Sequence, residues 1–418
     1  MDQTTLLTLG IAIGATLGVI VRPWSIPEYI WATLGAAALL VLGLLPWRNA
    51  LAAAAKGTDV YLFLIGMMLL AEAARREGLF DWLAAHAVRA ARGSARRLFL
   101  IVYAVGALTT IFLSNDATAV VLTPAVYAAT KAARVTPLPY LLICAFVANA
   151  ASFVLPISNP ANLVIFGAQM PPLAQWLALF TLPSIAAILI TFVALRWTQR
   201  HALSQPVHDG VTLQPLSLTG HCVGAAIAAT GIVLLAVSAF DRSLGLPTFL
   251  CGLGATVAVL MIGRKSPLPV LRDVAWGVLP LVAGLFILVE AVEQTGVLHA
   301  LTEHLREAAA ALPSQTTLAS GITVALLSNL MNNLPAGLLA ATIGQSADLS
   351  MQVTAGLLIG VDLGPNLSVT GSLATILWLI ALRREGQSIA TREFLRLGIV
   401  VMPPALLAAL LMLALLPV

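Results

Sequence analysis

The chain has 418 residues, 60% hydrophobic and only 10% charged, against about 25% charged residues in a soluble domain. No soluble packing could hide this much apolar surface, so the sequence reads as an integral membrane protein. The net charge of +4 is no sign of nucleic-acid binding, because the basic residues sit in short loops between apolar runs.

Apolar runs of about twenty residues recur along the whole chain, which favours helical spans over the alternating strands of a barrel. Residues 5–21, 29–46 and 59–76 read as the first three spans. Met1-Asp2-Gln3 lacks the positive region of a signal peptide, so the first run is expected to be a retained span. Asp81–Ala95, with Arg89 and Arg92 beside Trp82, Leu83 and Val88, reads as an interfacial amphipathic helix. Residues 98–130 are apolar but interrupted by Leu113-Ser114-Asn115-Asp116-Ala117-Thr118, and residues 138–170 are broken by Pro156-Ile157-Ser158-Asn159-Pro160-Ala161-Asn162. A span at 173–195 follows. The polar stretch Arg196–Ser217, with Pro206, Gly210 and Pro215, reads as a linker between halves.

The second half repeats this order. Spans are expected at 218–240, 246–263 and 274–292, and Leu298–Ala311 is the counterpart of the amphipathic helix. An interrupted segment at 315–343 carries Leu327-Ser328-Asn329-Leu330-Met331-Asn332-Asn333. A broken run at 353–382 carries Asp362-Leu363-Gly364-Pro365-Asn366-Leu367-Ser368, and a last span covers 394–416. Non-helical backbone at membrane depth is tolerated only where protein or a wet cavity surrounds it, so four such breaks predict a cavity.

Basic residues decide whether the two interrupted segments cross or turn back. With both re-entrant and the N-terminus outside, all basic residues but Arg48, Lys56, Arg242 and Arg306 fall on one face, which is then cytoplasmic. The first hairpin enters from that face and the second from outside. Gly66, Glu72 and Gly78 align without gaps on Gly284, Glu290 and Gly296, Ser114-Asn115 on Ser328-Asn329, and Asn162-Leu163 on Asn366-Leu367. Five spans and a hairpin per half is an odd number of crossings, so the second half is inverted. The expectation is an all-α polytopic membrane protein with an inverted structural repeat, about 10 transmembrane helices, two re-entrant helical hairpins and two broken helices. Residues 1–200 form the first repeat, 201–217 a cytoplasmic linker and 218–418 the second repeat. Inverted repeats with paired broken helices are a signature of secondary transporters. The sequence holds no P-loop, no HExxH and no GxSxG, so neither an ATP motor nor an enzyme is expected.

At helix breaks, backbone N–H and C=O groups lose their intrahelical partners and become free to bind a ligand. The candidate solute-binding residues are Ser114, Asn115, Thr118, Ser158, Asn159, Asn162, Ser328, Asn329, Asn332, Asn333, Asn366 and Thr370, with Ser368 beside them. No Arg or Lys lies in any of the four breaks. Such a set suits a small neutral hydroxyl-rich solute, or a cation held by carbonyls. Asp116 and Asp362 are the candidate proton carriers, since acids inside spans are rare and functional by default. Glu72 and Glu290 read as span-end residues. The six histidines lie in loops or at span edges and the three cysteines form no CxxC pair, so no metal site and no cofactor is expected.

Leu113-Ser-Asn-Asp-Ala-Thr-Ala-Val-Val-Leu-Thr-Pro124, Ile157-Ser-Asn-Pro-Ala-Asn-Leu163, Leu327-Ser-Asn-Leu-Met-Asn-Asn-Leu-Pro335 and Gly364-Pro-Asn-Leu-Ser-Val-Thr-Gly-Ser-Leu373 resemble the arsenite efflux permease (ArsB) family of the ion transporter superfamily. The resemblance spans nearly the whole chain. It implies a scaffold domain and a transport domain, with the hairpins and broken helices in the moving part. It implies export of trivalent arsenic (arsenite, and antimonite with it) across a bacterial inner membrane in exchange for protons. Some members gain further drive from a separate soluble arsenite-stimulated ATPase subunit. Arsenite is mostly the neutral trihydroxide at neutral pH, which suits a site of Asn, Ser and Thr. The alternatives are a sodium-coupled carrier of small organic anions from the same superfamily and an uncoupled channel.

Overall fold

In the computed structural model the described residues are 2–167, 170–204, 207–208, 215–240 and 242–416. Among them the chain is helical, with no strand. Parts of the expected linker, residues 205, 206 and 209–214 with Pro206 and Gly210, lie outside the described residues.

The first half runs α1 (Gln3–Val21), α2 (Glu28–Val41), α3 (Trp47–Lys56), α4 (Thr58–Arg76), α5 (Leu79–Ala91), α6 (Ala95–Phe112), α7 (Asn115–Ala117), a π turn at Thr118–Leu122, and α8 (Thr123–Ala132). It closes with α9 (Leu138–Ala150), α10 (Pro160–Phe166) and α11 (Leu173–Thr198). The second half runs α12 (Leu218–Ala239), α13 (Gly245–Gly263), α14 (Leu268–Asp273), α15 (Val278–Gln294), α16 (Val297–Ala311), α17 (Pro313–Met331) and α18 (Asn333–Ser346). Its last helices are α19 (Met351–Leu363), α20 (Leu373–Arg384) and α21 (Thr391–Ala414). Every expected span and break has its helix or its interruption.

Among the described residues six helical stretches are long and apolar enough to cross a membrane: Ala95–Phe112, Leu173–Thr198, Leu218–Ala239, Gly245–Gly263, Leu268–Gln294 and Thr391–Ala414. Ala95–Phe112 is the first arm of the interrupted segment, so five of the ten expected spans are met in this way; the other five are shorter apolar helices, such as Glu28–Val41, or helices in pieces. One case is α3 and α4, bent by 48° where they meet at Gly57.

Hydrogen bonds fix the first interrupted segment as a hairpin. Val207 N donates to Gly93 O (3.2 Å) and His208 N to Ala133 O (2.9 Å). Two adjacent residues thus hold the start and the end of the segment side by side, so α6 and α8 are arms that return to one end of the molecule. In the second half, Arg306 of α16 donates from Nη2 to Ser346 O (2.9 Å) at the foot of α18.

The halves interlock through glycines. A Cβ on Gly66 of α4 would collide with the Thr248 carbonyl of α13, and one on Gly252 with the Gly66 carbonyl. A Cβ on Gly284 of α15 would meet the backbone of Ala32 on α2. The repeat-related pair Gly66 and Gly284 therefore marks two equivalent helix crossings, each between the third span of one half and the second span of the other. Small residues at such crossings let backbones approach, which is how helices associate without a hydrophobic drive between them. Gly356 and Gly360 on α19, and Gly364 just past its end, play the same part against Thr317, Gly321 and Ala325 of α17.

Glu72 and Glu290 sit at span ends. Glu72 pairs with Arg75 and Arg76 (2.6 Å each), which also reach Asp273, while Glu290 pairs with Lys56 (2.7 Å).

Candidate solute site

The two hairpin tips do not break in the register that their shared Ser-Asn implies. In the first, α6 ends at Phe112 and Ser114 caps α7, its Oγ accepting from Ala117 N (3.2 Å). In the second, Ser328 and Asn329 still lie inside α17, and the break comes at Asn332 (φ +75°). Few non-glycine residues hold that backbone, and asparagine is among those that do. Its side chain supports it: Oδ1 accepts from Leu334 N (3.4 Å) and Nδ2 donates to Thr370 O (3.3 Å). The structural partners are therefore Ser114 with Asn332 and Asn115 with Asn333, the spacing already set by Gly66 and Gly284. Asp116 is matched by Leu334, not by Leu330. Ser328 is matched by Thr110, and both hydroxyls donate back to their own helix, to Val324 O and Gly106 O (2.9 Å each). The Ser328 hydroxyl thus bonds within its own helix and not to another break among the described residues.

The broken helices show a similar shift. Asn159 caps α10, its Oδ1 accepting from Ala161 N (3.0 Å), and Ser372 caps α20, its Oγ accepting from Thr375 N (3.0 Å). The helices that precede them, α9 and α19, carry Asn149 and Asp362 at equivalent places, each one residue before the helix ends. Each reaches across to the cap of the other repeat. Asp362 Oδ1 accepts from Asn159 Nδ2 (2.7 Å), and Oδ2 from Ser152 Oγ (2.7 Å). Asn149 Oδ1 accepts from Ser372 Oγ (3.2 Å), and its Nδ2 donates to Asn366 Oδ1 (3.0 Å). Asn366 in turn donates to Phe146 O (3.0 Å). All these side chains are buried, and Asp362 and Asn366 have no exposed surface. A carboxylate so placed has only neutral donors for company. The Asn162-with-Asn366 alignment of the sequence gives way to Asn162 with Thr375.

Two further groups complete the site. Asn329 Nδ2 donates to Ala325 O and Gly364 O (2.8 Å each), and its Oδ1 accepts from Ser368 Oγ (2.7 Å). Thr370 Oγ1 donates to Asn329 O (3.3 Å). This knits the second hairpin to the second break. At the first hairpin, Ser158 Oγ donates to Ile111 O (3.0 Å), and Thr118 Oγ1 shares a hydrogen bond with Thr110 Oγ1 (2.8 Å). Asn115 Oδ1 accepts from Asp116 N (2.9 Å). Asn162 Nδ2 reaches the carbonyls of Ser152, Leu155 and Pro156 (3.0–3.2 Å) and so holds the turn of the first break. The buried Oδ1 atoms of Asn162 and Asn333 accept no hydrogen bond among the described residues.

Asp116 stands apart from Asp362. It is half-buried and lines a cavity of about 90 Å³ between the first hairpin tip and helices α4 and α15. The polar side chains of that cavity are Ser114, Asp116, Glu72 and Asp273, and the rest are apolar, Phe63, Met67 and Val278 among them.

Asn149, Ser152, Ser372, Thr375 and Thr110 were not singled out in the sequence. Asn149 offered the one readable signal, an amide in the otherwise apolar run from Leu141 to Ala151.

Apolar helices, an interrupted segment in each half and two broken helices that cap each other make a multi-pass membrane protein, and its family and relatives make it a transporter. Residues 16–371 match the family described as "Citrate transporter" (CitMHS), and the chain belongs to that family. Its relatives include the arsenical pump membrane protein of Escherichia coli K12, 29% identical over 410 residues and 92% of each chain. Another is the arsenical pump membrane protein of Yersinia enterocolitica, 28% identical over 377 residues and 86% of each chain. The resemblance read from the hairpin motifs is thereby borne out. Two solved transporters share the fold at low identity. The YdaH transporter of Alcanivorax borkumensis has a TM-score of 0.56 at 16% identity, over 99% of this chain and 98% of that one. MtrF of Neisseria gonorrhoeae, described among antimetabolite efflux pumps, has a TM-score of 0.58 at 12% identity, over 99% and 95%.

Proposed function

We propose that the chain exports trivalent arsenic, arsenite and with it antimonite, across a bacterial inner membrane in exchange for protons. The observation that carries this reading is the lining of the cavity at Asp116. Its polar groups are a hydroxyl and three carboxylates, two of them already paired with Arg75 and Arg76. A tricarboxylate would meet like charge there, whereas the neutral trihydroxide of arsenic meets acceptors for its three O–H groups. The size agrees, since about 90 Å³ is far below the roughly 300 Å³ at which drug-sized ligand sites begin.

Asp116 is assigned the exchanged proton, because it reaches the cavity from the end of the bundle that carries Arg75 and Arg76. Asp362 is assigned a holding role, linking the second broken helix to the cap of the first. Proton drive is sufficient for this reading, and a soluble ATPase subunit adds to it where the cell supplies one.

The test is arsenite tolerance in a strain stripped of its own exporter, alongside transport assays in vesicles. Expression should raise tolerance, and citrate should not compete for transport. The second reading, a sodium-coupled carrier of small organic anions, is favoured by the description of the family. Sodium-dependent citrate uptake without arsenite tolerance would establish it and end the first.

A further inference from the structure

A second cavity lies where the start of α6 meets the end of α11, away from all four breaks. It measures about 370 Å³ and is lined by Arg96, Arg196, Arg200, Phe192, Trp197 and Leu203, with Val193 beside them. None of the three arginines is in an ion pair among the described residues. The guanidinium of Arg196 lies over the Phe192 ring (6.0 Å) and that of Arg200 over the Trp197 ring (5.2 Å). Aromatic faces hold the two forks in place without neutralising them. Arg96 stands in the first turn of α6, where unpaired N–H groups and the helix dipole also favour an anion.

The helix surface leading to this cavity is apolar. Leu182, Ile185, Leu189, Val193 and Trp197 are all exposed on α11 and recur every three or four residues, so they form one stripe. Leu100 and Leu108 are exposed on α6. An apolar stripe that ends in Trp and then in arginines without an ion pair among the described residues has the profile of a span leaving the bilayer core at the headgroup level.

We propose that this cavity binds the headgroup phosphate of an anionic phospholipid, with the acyl chains laid along the α11 stripe. Arginine forks match a phosphodiester in a bidentate way that a point charge does not. Basic pockets between transmembrane helices are recognised ground for anionic headgroups. The stripe is what argues for a lipid over a free phosphate ion, which has no use for it. A lipid so placed would touch both the first arm of the hairpin that carries Asp116 and the long helix α11 beside it.

The test is native mass spectrometry of the full-length protein in detergent, with phosphatidylglycerol, phosphatidylcholine or inorganic phosphate added. The wild type should retain phosphatidylglycerol in preference to phosphatidylcholine. Each of Arg196→Gln and Arg200→Gln should lower its occupancy roughly fivefold, and the triple variant with Arg96→Gln should erase the preference. A control triple at Arg384, Arg392 and Arg396 removes equal charge elsewhere and should keep it. If the cavity triple does not stay monodisperse, the single variants carry the test alone. Unchanged preference in the monodisperse variants overturns the proposal. So does inorganic phosphate displacing phosphatidylglycerol at matched concentration.

Discussion

In the first hairpin the chain leaves its helix at Leu113, and Ser114 caps the return arm two residues before Asp116. In the second, α17 runs two residues beyond its own Ser-Asn and breaks at Asn332. The surroundings differ as well. The amphipathic helix beside the first hairpin, α5, buries Leu79, Phe80, Ala84, Ala87 and Val88. Its counterpart α16 overhangs an apolar cavity of about 480 Å³, and a further one of about 260 Å³ separates the second hairpin from α1 and α15. The first hairpin is thus packed on its outer side and polar at its inner tip. The second is fastened through Asn329 and Asn332 to the break it faces, with open apolar space behind it. One repeated frame supports two unlike parts. The acid at the cavity belongs to one hairpin, and the amide clamp on a neighbouring break to the other.

Glycine packing offers the most severe way to break this comparison. Gly360→Leu would drive a side chain into the Gly321 backbone where α19 crosses α17. Backbone cannot yield there, so loss of monodisperse protein is expected by size-exclusion chromatography. Gly106→Ala in the first hairpin meets side chains, Val147 at 2.8 Å and Leu122 and Ile143 at ordinary contact. A side chain can shift, so a loss of about 1–3 kcal/mol is expected in thermal unfolding. Equal tolerance of the two would show that the hairpins are held alike.

The cap-crossing pair gives the next largest effect. Asp362→Ala strands the buried Asn159 amide, while Ser152 keeps the Asn149 carbonyl as acceptor, and a loss of about 1–3 kcal/mol is expected. Asn149→Ala strands the Asn366 oxygen, while Ser372 keeps Thr375, and a loss of about 1–3 kcal/mol is expected. Thermal unfolding in a common detergent compares them. An Asp362→Ala variant as stable as the wild type would remove Asp362 from its holding role.

The smallest effects separate the two serines of the shared dipeptide. Ser114→Ala removes a helix cap and should cost about 1 kcal/mol. Ser328→Ala removes only a hydroxyl bonded to its own helix and should stay within about 0.5 kcal/mol. A reversal of that order would restore the register read from the sequence.

Much of the frame was legible because its signals are local. Apolar runs gave the spans, and proline, glycine and asparagine clusters gave the breaks. The Gly66–Gly78 and Gly284–Gly296 matches gave the true register of the third spans and, carried forward, of the hairpin tips. The Ser114-Asn115 match to Ser328-Asn329 was misleading, since the same dipeptide sits outside a helix once and inside one the other time. Which of the two applies is set by tertiary partners such as Thr370, not by neighbours in sequence. Asn149 and Ser372 were hidden for a related reason. A lone amide in an apolar helix has no periodic signal, and its partners lie more than two hundred residues away.

The most direct test of the account is arsenite accumulation in everted membrane vesicles under an imposed pH gradient, with Asp116→Asn beside the wild type. The wild type should accumulate arsenite and lose it when a protonophore collapses the gradient. The variant, purified with unchanged thermal stability, should accumulate none. Accumulation by Asp116→Asn at the wild-type rate would contradict the claim that the first hairpin carries the exchanged proton.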